Sequence, residues 1–266
     1  MKEPFGILLF PGFAENADCM GGLELLLQEQ GLPTRVPMLR GHGEASPQAL
    51  HGVTWHDWMV DAKAALVSMR REAEKVIIVG HSMGALTALM LAAGYADQVD
   101  SIVLVAPAMR LASPWAPGQP LHVVAPVLAR LLPRQPLTPA FAGQDKAPGD
   151  LLYPWAPADA YVQALEFCEE AQRRLPDVNV PTLILHSRKD TVAAPESASL
   201  IFEGISTPRE WKRILWFEKT DHIMFCDCEK VAVIDAVLGY VCRRCGVCSA
   251  DEEREQELLG ALWGAK

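Results

Sequence analysis

Residues 75–84 read KVIIVGHSMG, a run of core-type residues that ends in a Gly-x-Ser-x-Gly pentapeptide. The pattern predicts a buried strand that delivers Ser82 to a sharp turn. Gly80 and Gly84 have no Cβ to clash where the next helix folds back on the strand. A helical pattern follows over residues 85–92, so the pentapeptide has the strand–turn–helix context that the motif requires. Such a turn presents the serine at the carboxyl edge of a sheet, where open α/β sheets bind ligands.

Apolar runs and helical patterns alternate through most of the remaining chain. This alternation predicts a mainly parallel sheet with helices on both faces. The predicted strands are 5–10, 33–38, 75–80, 99–105, 181–187 and 212–217. The predicted helices are 19–30, 54–71, 83–95, 195–205 and 229–243.

The stretch 107–178 interrupts this alternation. Eleven of the 20 prolines lie between residues 107 and 157, and proline excludes a long helix or a central strand there. Large apolar side chains in the same stretch, such as Trp155, argue against a flexible linker. We therefore expect an insertion that lies over the carboxyl edge of the sheet as a lid. The expected organisation is a core of 1–106 and 179–248, a lid of 107–178 with helical segments near 119–132 and 157–175, and a short amphipathic helix over 249–266.

Size and charge restrict the class of protein. A chain of 266 residues can form one sizeable α/β core with room for an inserted subdomain. The formal charge of −9 argues against nucleic acid or an anionic membrane as the partner. The N-terminal apolar run is too short for a signal peptide, and no window reaches the length of a transmembrane helix. With seven cysteines, an odd number, these features predict a protein of the reducing cytoplasm.

A serine hydroxyl needs a base before it can act as a nucleophile. In proteins with this nucleophile turn, an acid and then a histidine follow the serine along the chain. Three histidines follow Ser82, namely His122, His186 and His222. His122 lies in the proline-rich stretch and His186 within a predicted strand, whereas His222 lies in the loop after the last predicted strand. His222 is therefore the predicted base.

The acid must lie at the same edge of the sheet, just beyond a strand. Asp190 satisfies this, because it follows the predicted strand 181–187. Asp177 precedes that strand, and Asp221 adjoins His222 and would struggle to reach the far side of its ring. We expect Asp190 to fix the imidazole tautomer and to stabilise the imidazolium formed during attack. An ordinary turn or helix-capping carboxylate is the alternative, since Asp is common in such loops.

Acyl transfer also needs two N–H donors for the oxyanion that develops on the substrate. The backbone N–H of Met83, which opens the helix after the nucleophile, is one candidate. The loop after the first strand supplies the other, because Gly12 allows the backbone to turn inward and present the N–H of Phe13. A plain strand-to-helix turn is the alternative, since Pro-Gly also signals one.

Together, the Pro-Gly-Phe turn, the Gly-His-Ser-Met-Gly elbow, Asp190 and His222 resemble the α/β-hydrolase carboxylesterases, especially the bacterial esterases and monoacylglycerol lipases. The resemblance covers about residues 5–245 and includes the run RGHG at 40–43. In that family the first loop usually reads His-Gly-Phe, and here Pro11 replaces the histidine. The resemblance implies the α/β-hydrolase fold with a lid inserted after the fourth predicted strand.

The resemblance also implies the reaction, which is ester hydrolysis through an acyl-enzyme on Ser82 with no cofactor and no metal. A small-molecule ester is the implied partner. Medium acyl chains or monoacylglycerols would suit an apolar pocket formed by Phe13, Met83 and lid residues such as Trp155. The sequence leaves the natural ester and the oligomeric state open.

Other chemistries also remain open. A thioesterase, an amidase or a C–C hydrolase would use the same three side chains, since fold and triad do not fix the scissile bond. A metal-binding interaction protein is a further alternative, because five cysteines cluster near the C-terminus and three of them have Cys-x-x-Cys-x-x-Cys spacing. These cysteines are Cys226, Cys228, Cys242, Cys245 and Cys248. Free cysteines are also common as small buried residues.

Overall fold

The computed structural model describes residues 2–112, 133–143 and 151–247. The predicted helical segment near 119–132 and the predicted helix over 249–266 lie outside these ranges. Cys248 and His122 also lie outside them.

A six-stranded parallel sheet forms the centre of the described chain. Its strands are β1 (Glu3–Phe10), β2 (Thr34–Arg35), β3 (Ala73–His81), β4 (Val99–Val105), β7 (Thr182–Ser187) and β8 (Lys212–Phe217). The order across the sheet is β2-β1-β3-β4-β7-β8, and each neighbouring pair is parallel. A separate antiparallel pair joins β5 (Arg134–Pro136) and β6 (Trp155–Pro157). Because the six strands run the same way, the loops after β1, β3, β7 and β8 leave from one edge of the sheet.

Helices cover both faces of this sheet. Those of the described ranges are α1 (Leu23–Glu29), α2 (Trp55–Glu72), α3 (Met83–Gly94), α4 (Ala158–Arg174), α5 (Glu196–Gly204) and α6 (Lys230–Cys245). The longest, α2, begins with a capping box in which the side chains of Thr54 and Asp57 each accept the other's backbone N–H.

Apolar side chains divide into two cores, one on each face of the sheet. Within β1, Leu8 and Phe10 enter one core, whereas Ile7 and Leu9 enter the other, as the two-residue period of a strand requires. Helices α2, α3, α4 and α5 close the first core, and α1 and α6 close the second. This arrangement confirms the predicted mainly parallel sheet with helices on both faces.

Two predicted elements are shorter than expected. The predicted strand 33–38 is reduced to Thr34–Arg35, because β2 is an edge strand and Pro37 has no N–H for a ladder bond. The predicted helix 19–30 is reduced to α1, because Gly21 and Gly22 have φ angles of 61° and 78°, far from helical values.

Part of the predicted insertion packs into one of the two apolar cores. Helix α4, which matches the predicted helical segment 157–175, packs Ala160, Phe167 and Ala171 into the same apolar cluster as α2 and α3. The boundaries of the core and of the lid, and the lid itself, stay a prediction.

A second described piece of the insertion joins the loop after β1. The N–H of Asn16 donates to the carbonyl oxygen of Leu151 at 3.0 Å, and the N–H of Tyr153 donates to that of Ala14 at 2.9 Å. Residues 151–153 therefore add a short backbone pairing to the loop that follows the first strand.

The turn between β3 and α3 depends on a close backbone approach. A Cβ on Gly84 would lie 2.6 Å from the carbonyl oxygen of Pro11 and closer still to that of Phe10. A Cβ on Gly80 would lie 2.5 Å from the backbone nitrogen of Ala85. Real Cβ atoms do not approach backbone atoms this closely. The two glycines thus allow α3 to start directly against β1 and β3.

We predict that Gly84→Ala destabilises the fold by about 3 kcal/mol or more, because its Cβ meets backbone atoms that cannot move aside as a side chain could. Chemical denaturation followed by circular dichroism measures this. Gly94→Ala is the matched control in the same helix, since a Cβ there meets nothing within 4 Å, and its stability should lie within about 1 kcal/mol of wild type. Equal stability of the two variants would contradict the close approach.

Candidate active site

Ser82 lies in the turn between β3 and α3 with an unusual backbone conformation. Its φ of 53° and ψ of −114° are values that residues with a Cβ rarely adopt. Two backbone bonds hold the turn: the Ser82 N–H donates to Val105 O at 2.9 Å, and the Ala108 N–H donates to Ser82 O at 3.3 Å. The last residue of β4 and the segment after it therefore help to fix the serine at the carboxyl edge of the sheet.

His222 lies in the loop after β8 and bridges Ser82 and Asp190. Its Nε2 is 2.9 Å from Ser82 Oγ, and its Nδ1 is 2.9 Å from Asp190 Oδ2 and 3.1 Å from Oδ1. A carboxylate accepts hydrogen bonds and cannot donate one, so Nδ1 carries the proton and Nε2 turns a lone pair towards the serine hydroxyl. A general base needs this tautomer.

Asp190 is held in the loop after β7 by backbone donors. Its Oδ1 accepts the N–H of Val192 at 2.9 Å and that of Ala193 at 2.7 Å. Burial alone would raise the pKa of this carboxyl, but the charge and the hydrogen bond of His222 outweigh it and hold the pKa below its usual value. Asp190 is therefore ionised while buried.

The other sequence candidates have different partners. His186 is fully buried in β7, where its Nδ1 lies 3.0 Å from the Ser187 carbonyl oxygen, and burial lowers its pKa. Asp221 accepts the N–H of Thr191 at 2.8 Å. The structure thus brings together the three side chains that the sequence singled out, while His186 Nδ1 lies closer to the Ser187 carbonyl oxygen than to Asp190 Oδ2, which is 4.0 Å away.

The two predicted oxyanion donors lie on neighbouring backbone segments. Met83 is the first residue of α3, where backbone N–H groups have no partner within the helix. Phe13 follows β1, whose last residue contacts α3 at Gly84. Both residues line the cavity that contains Ser82. Their assignment as oxyanion donors stays a prediction.

A cavity of about 360 Å³ opens beside Ser82 and His222. Its apolar wall comes from α3, α4, the segment before Phe141 and the loop that carries His222. Residues of this wall include Leu86, Leu137, Tyr161, Ala164, Cys168 and Ile223.

Trp155, which the sequence predicts to line the pocket, is not among the residues that line this cavity in the described ranges. Trp155 lies in β6, and its ring packs against Arg134, whose guanidinium carbon is 4.6 Å from the ring centroid. Tyr161 of α4 is an aromatic residue that does line the cavity.

Sequence reasoning missed a buried polar pair beside His222. Glu15 Oε2 is 2.9 Å from His81 Nδ1, and their side chains are 5% and 0% exposed. His81 Nε2 is 2.9 Å from the backbone carbonyl oxygen of His222. A glutamate in one loop and a histidine inside the elbow carry no recognisable spacing, so no motif could have paired them.

Within the described ranges, no group of three or more His, Cys, Asp or Glu side chains could hold a metal ion. Cys242 is buried on α6, and Cys228 is exposed. The third cysteine of the Cys-x-x-Cys-x-x-Cys spacing, Cys248, is outside the part of the chain that the structure describes.

Residues 5–229 match the family described as serine aminopeptidase, S33. The chain belongs to this family. The match covers the elbow, the acid and the histidine that the structure brings together. It also confirms the predicted α/β-hydrolase identity.

Three similar proteins place this S33 hydrolase among lipases and esterases. A thermostable monoacylglycerol lipase from Bacillus sp. (strain H-257) is 24% identical over 245 residues, which is 91% of this chain and 92% of the relative. A carboxylesterase from Bacillus subtilis (strain 168) is 23% identical, with 88% and 91% covered. A solved structure from work on LipS and LipT, two metagenome-derived lipolytic enzymes, has a TM-score of 0.82 at 24% sequence identity. The match covers 91% of this chain and 95% of the chain in that structure. The predicted enzyme class, a hydrolase of the esterase and lipase type, is confirmed.

Across the described ranges of this S33 hydrolase, no helix has both the length and the apolar character needed to span a bilayer.

His42 of the RGHG run packs against the loop that carries Phe13. The ring centroids of His42 and Phe13 are 6.0 Å apart, and those of His42 and Trp58 are 5.7 Å apart. The ring is 5% exposed, and burial lowers its pKa to about 4 despite two nearby carbonyl oxygens at 3.3 Å. His42 is therefore a neutral packing residue at pH 7.

We predict that His42 makes the fold weaker as the pH falls from 7 to 5. Its pKa in the folded state is lowered to about 4, so the unfolded chain binds the extra proton between that value and about 6.5. Stability therefore rises with pH across this window, and the loss from pH 7 to 5 attributable to His42 is about 2 kcal/mol.

The measurement is the difference in unfolding free energy between pH 7 and pH 5. In His42→Asn this difference should be smaller than in wild type by about 2 kcal/mol. The exposed His56 provides the control variant His56→Asn, which should keep the wild-type pH dependence. An unchanged pH dependence in His42→Asn would rule out a buried neutral ring.

Proposed function

We propose that the protein hydrolyses carboxylic esters through an acyl-enzyme, with Ser82 as nucleophile, His222 as base and Asp190 as the acid that orients the base. The observation that carries this proposal is the position of His222, with Nε2 2.9 Å from Ser82 Oγ and Nδ1 2.9 Å from Asp190 Oδ2. At these distances the imidazole can accept the serine proton as the hydroxyl attacks.

In the acylation step, Ser82 Oγ attacks the ester carbonyl and His222 Nε2 takes its proton. The buried Asp190 carboxylate stabilises the resulting imidazolium through the bond to Nδ1. His222 then gives the proton to the leaving alcohol as the carbon–oxygen bond breaks. Water repeats the sequence on the acyl-enzyme, and the acid is released with Ser82 restored.

The N–H groups of Phe13 and Met83 are assigned to the oxyanion of both tetrahedral intermediates. Two features support this assignment: both residues line the cavity, and the close approach at Gly84 places their backbone segments side by side. Donors already aimed at the developing charge need no reorganisation during the reaction.

The cavity favours an apolar acyl group. Leu86, Leu137, Ala164 and Ile223 offer hydrocarbon surface, and removing acyl CH₂ groups from water favours binding by about 0.8 kcal/mol each. We assign medium-chain acyl esters and monoacylglycerols as substrates, in keeping with the Bacillus relatives.

Peptide cleavage, which the family description names, is less well supported by this site. An aminopeptidase must bind the ammonium group of its substrate, and Glu15 is the one acidic side chain among the residues that line the described cavity. Its Oε2 already accepts hydrogen bonds from the His81 ring and from the Gly12 N–H, so this oxygen is engaged within the protein. Thioesters, amides and C–C bonds remain compatible with the triad, and a substrate panel containing each bond type separates them from esters.

We predict that Ser82→Ala lowers kcat for p-nitrophenyl esters by at least about 10³-fold, because the nucleophile is removed. The unfolding free energy should stay within about 1 kcal/mol of wild type, since one hydroxyl is lost.

A fluorophosphonate probe, mapped by peptide mass, should label Ser82 in the wild-type protein and nothing in Ser82→Ala. The control Ser197→Ala removes a buried serine that bonds Arg110 outside the cavity, and it should keep both activity and labelling. Near-wild-type turnover by Ser82→Ala would exclude the proposed nucleophile.

Chain-length preference tests the acyl pocket. We predict that Ala164→Trp lowers kcat/KM for octanoate and longer esters by about 10-fold or more, because the indole fills the cavity beyond the reacting carbonyl. Acetate esters should be hydrolysed as in wild type. Glu166→Trp adds the same bulk to the exposed face of α4 and is the control. A parallel loss for all chain lengths in Ala164→Trp would place the acyl group elsewhere.

A further inference from the structure

Glu15 and His81 form the only fully enclosed acid–imidazole pair of the described chain besides the Asp190 pairs. The side chain of His81 is 0% exposed and that of Glu15 is 5% exposed. His81 lies between His222, at 5.1 Å between ring centroids, and Phe225, at 6.2 Å. The pair is therefore almost entirely buried beside the proposed base, with His81 fully enclosed and Glu15 at the edge of the cavity.

Both ring nitrogens of His81 face acceptors. Nδ1 is 2.9 Å from Glu15 Oε2, and Nε2 is 2.9 Å from the carbonyl oxygen of His222. A neutral imidazole has one N–H, whereas two acceptors require two donors. The geometry therefore favours an imidazolium at His81 bonded to a carboxylate at Glu15.

The electrostatic environment agrees with this proton count. Burial alone would lower the pKa of His81, but the charge and hydrogen bond of Glu15 outweigh it and raise the pKa. Burial alone would raise the pKa of Glu15, and the charge of His81 lowers it below its usual value. Each partner thus keeps the other ionised.

Each residue of this pair bonds the backbone of a loop that carries a proposed catalytic group. Glu15 Oε2 also accepts the N–H of Gly12, in the loop that carries Phe13. His81 donates to the backbone of His222. The backbone of Glu15 is itself paired with Leu152. A continuous set of hydrogen bonds therefore joins the loop that carries Phe13 to the loop that carries His222.

We propose that Glu15 and His81 are positioning residues. Their buried ion pair keeps the imidazole of His222 and the loop that carries Gly12 and Phe13 in their positions around Ser82. This inference rests on the proposed ester hydrolysis. Replacing a buried ion pair by apolar residues often leaves stability unchanged or raises it. The contribution of the pair is therefore expected in the geometry of the reaction and not in the melting temperature.

Glu15→Gln tests the charge with little change of shape. Without the carboxylate, His81 loses the partner that keeps it doubly protonated, so one of its two hydrogen bonds is lost. We expect kcat to fall between about 10-fold and 100-fold with KM within about twofold, as for a reacting group held slightly out of place.

The double variant Glu15→Leu/His81→Phe removes both charges together and leaves an apolar pair. We expect it to fold with a melting temperature near that of wild type and to show the same loss of kcat. The matched control is Asp100→Asn, which removes the buried carboxylate of another ion pair, 2.8 Å from Arg244, outside the active-site cavity. It should lose stability and keep kcat.

Leaving-group dependence separates positioning of the base from general loss of structure. A misplaced His222 protonates an alkoxide poorly, whereas a p-nitrophenolate leaves without protonation. The ratio of kcat for an ethyl ester to kcat for the p-nitrophenyl ester of the same acid should therefore fall in Glu15→Gln. Wild-type kcat in both Glu15→Gln and the double variant would overturn the proposal, as would an equal loss on both esters.

Nitrogen-15 NMR of the histidine rings provides a readout that does not need substrate. One ring that keeps both nitrogens protonated to higher pH than the other rings do is expected in wild type and absent from Glu15→Gln. Its absence from wild type would refute the ion pair. If wild type hydrolysed no ester and Ser82 took no fluorophosphonate, the proposed function would fail while the NMR result still decided the state of His81.

Discussion

The close approach of α3 to the end of β1 is the constraint on which the site depends. Gly84 lies against the carbonyl groups of Phe10 and Pro11, so the helix that follows the nucleophile begins beside the loop that follows the first strand. That contact brings Met83 and Phe13 to one cavity. It also turns the backbone so sharply that Ser82 has a positive φ, a conformation that costs of order 1–3 kcal/mol and persists because the surrounding sheet fixes it.

Charges in this site are buried, and each has specific hydrogen-bond partners. Asp190 has two backbone N–H groups and the imidazole of His222, and Glu15 has the Gly12 N–H and His81. A buried carboxylate without such partners would take up a proton. Backbone N–H groups of two loops, together with the imidazoles of His81 and His222, thus hold two ionised carboxylates inside one site.

Much of the fold and the three central side chains could be predicted from the sequence, because they follow from local patterns. The elbow is a contiguous motif, and Asp190 and His222 each come shortly after a strand of a parallel sheet, so chain direction alone places them at one edge. Whether His222 contacts both Ser82 and Asp190 depends on loop conformation, which periodicity does not encode. The structure shows both contacts, with His222 2.9 Å from Ser82 Oγ and 2.9 Å and 3.1 Å from the two carboxylate oxygens of Asp190.

The differences between sequence expectation and structure arise mainly from contacts remote in sequence. Trp155 has the size and apolar character of a pocket residue, yet its ring packs against Arg134 and it is not among the residues that line the described cavity. The strand predicted over 33–38 has a suitable composition, yet an edge position and Pro37 limit it to two residues. Glu15 and His81 are 66 residues apart and pair because β1 and β3 are neighbours.

That adjacency also links residues 151–153 to the ion pair of Glu15 and His81. Residues 151–153 pair with the loop of Ala14 to Asn16, and Glu15 within that loop connects through His81 to His222. We therefore expect a displacement of residues 151–153 to shift the backbone of His222 through this pairing and the ion pair. Because hydrogen bonds weaken steeply with misalignment, such a shift would weaken the bond between His222 and Ser82.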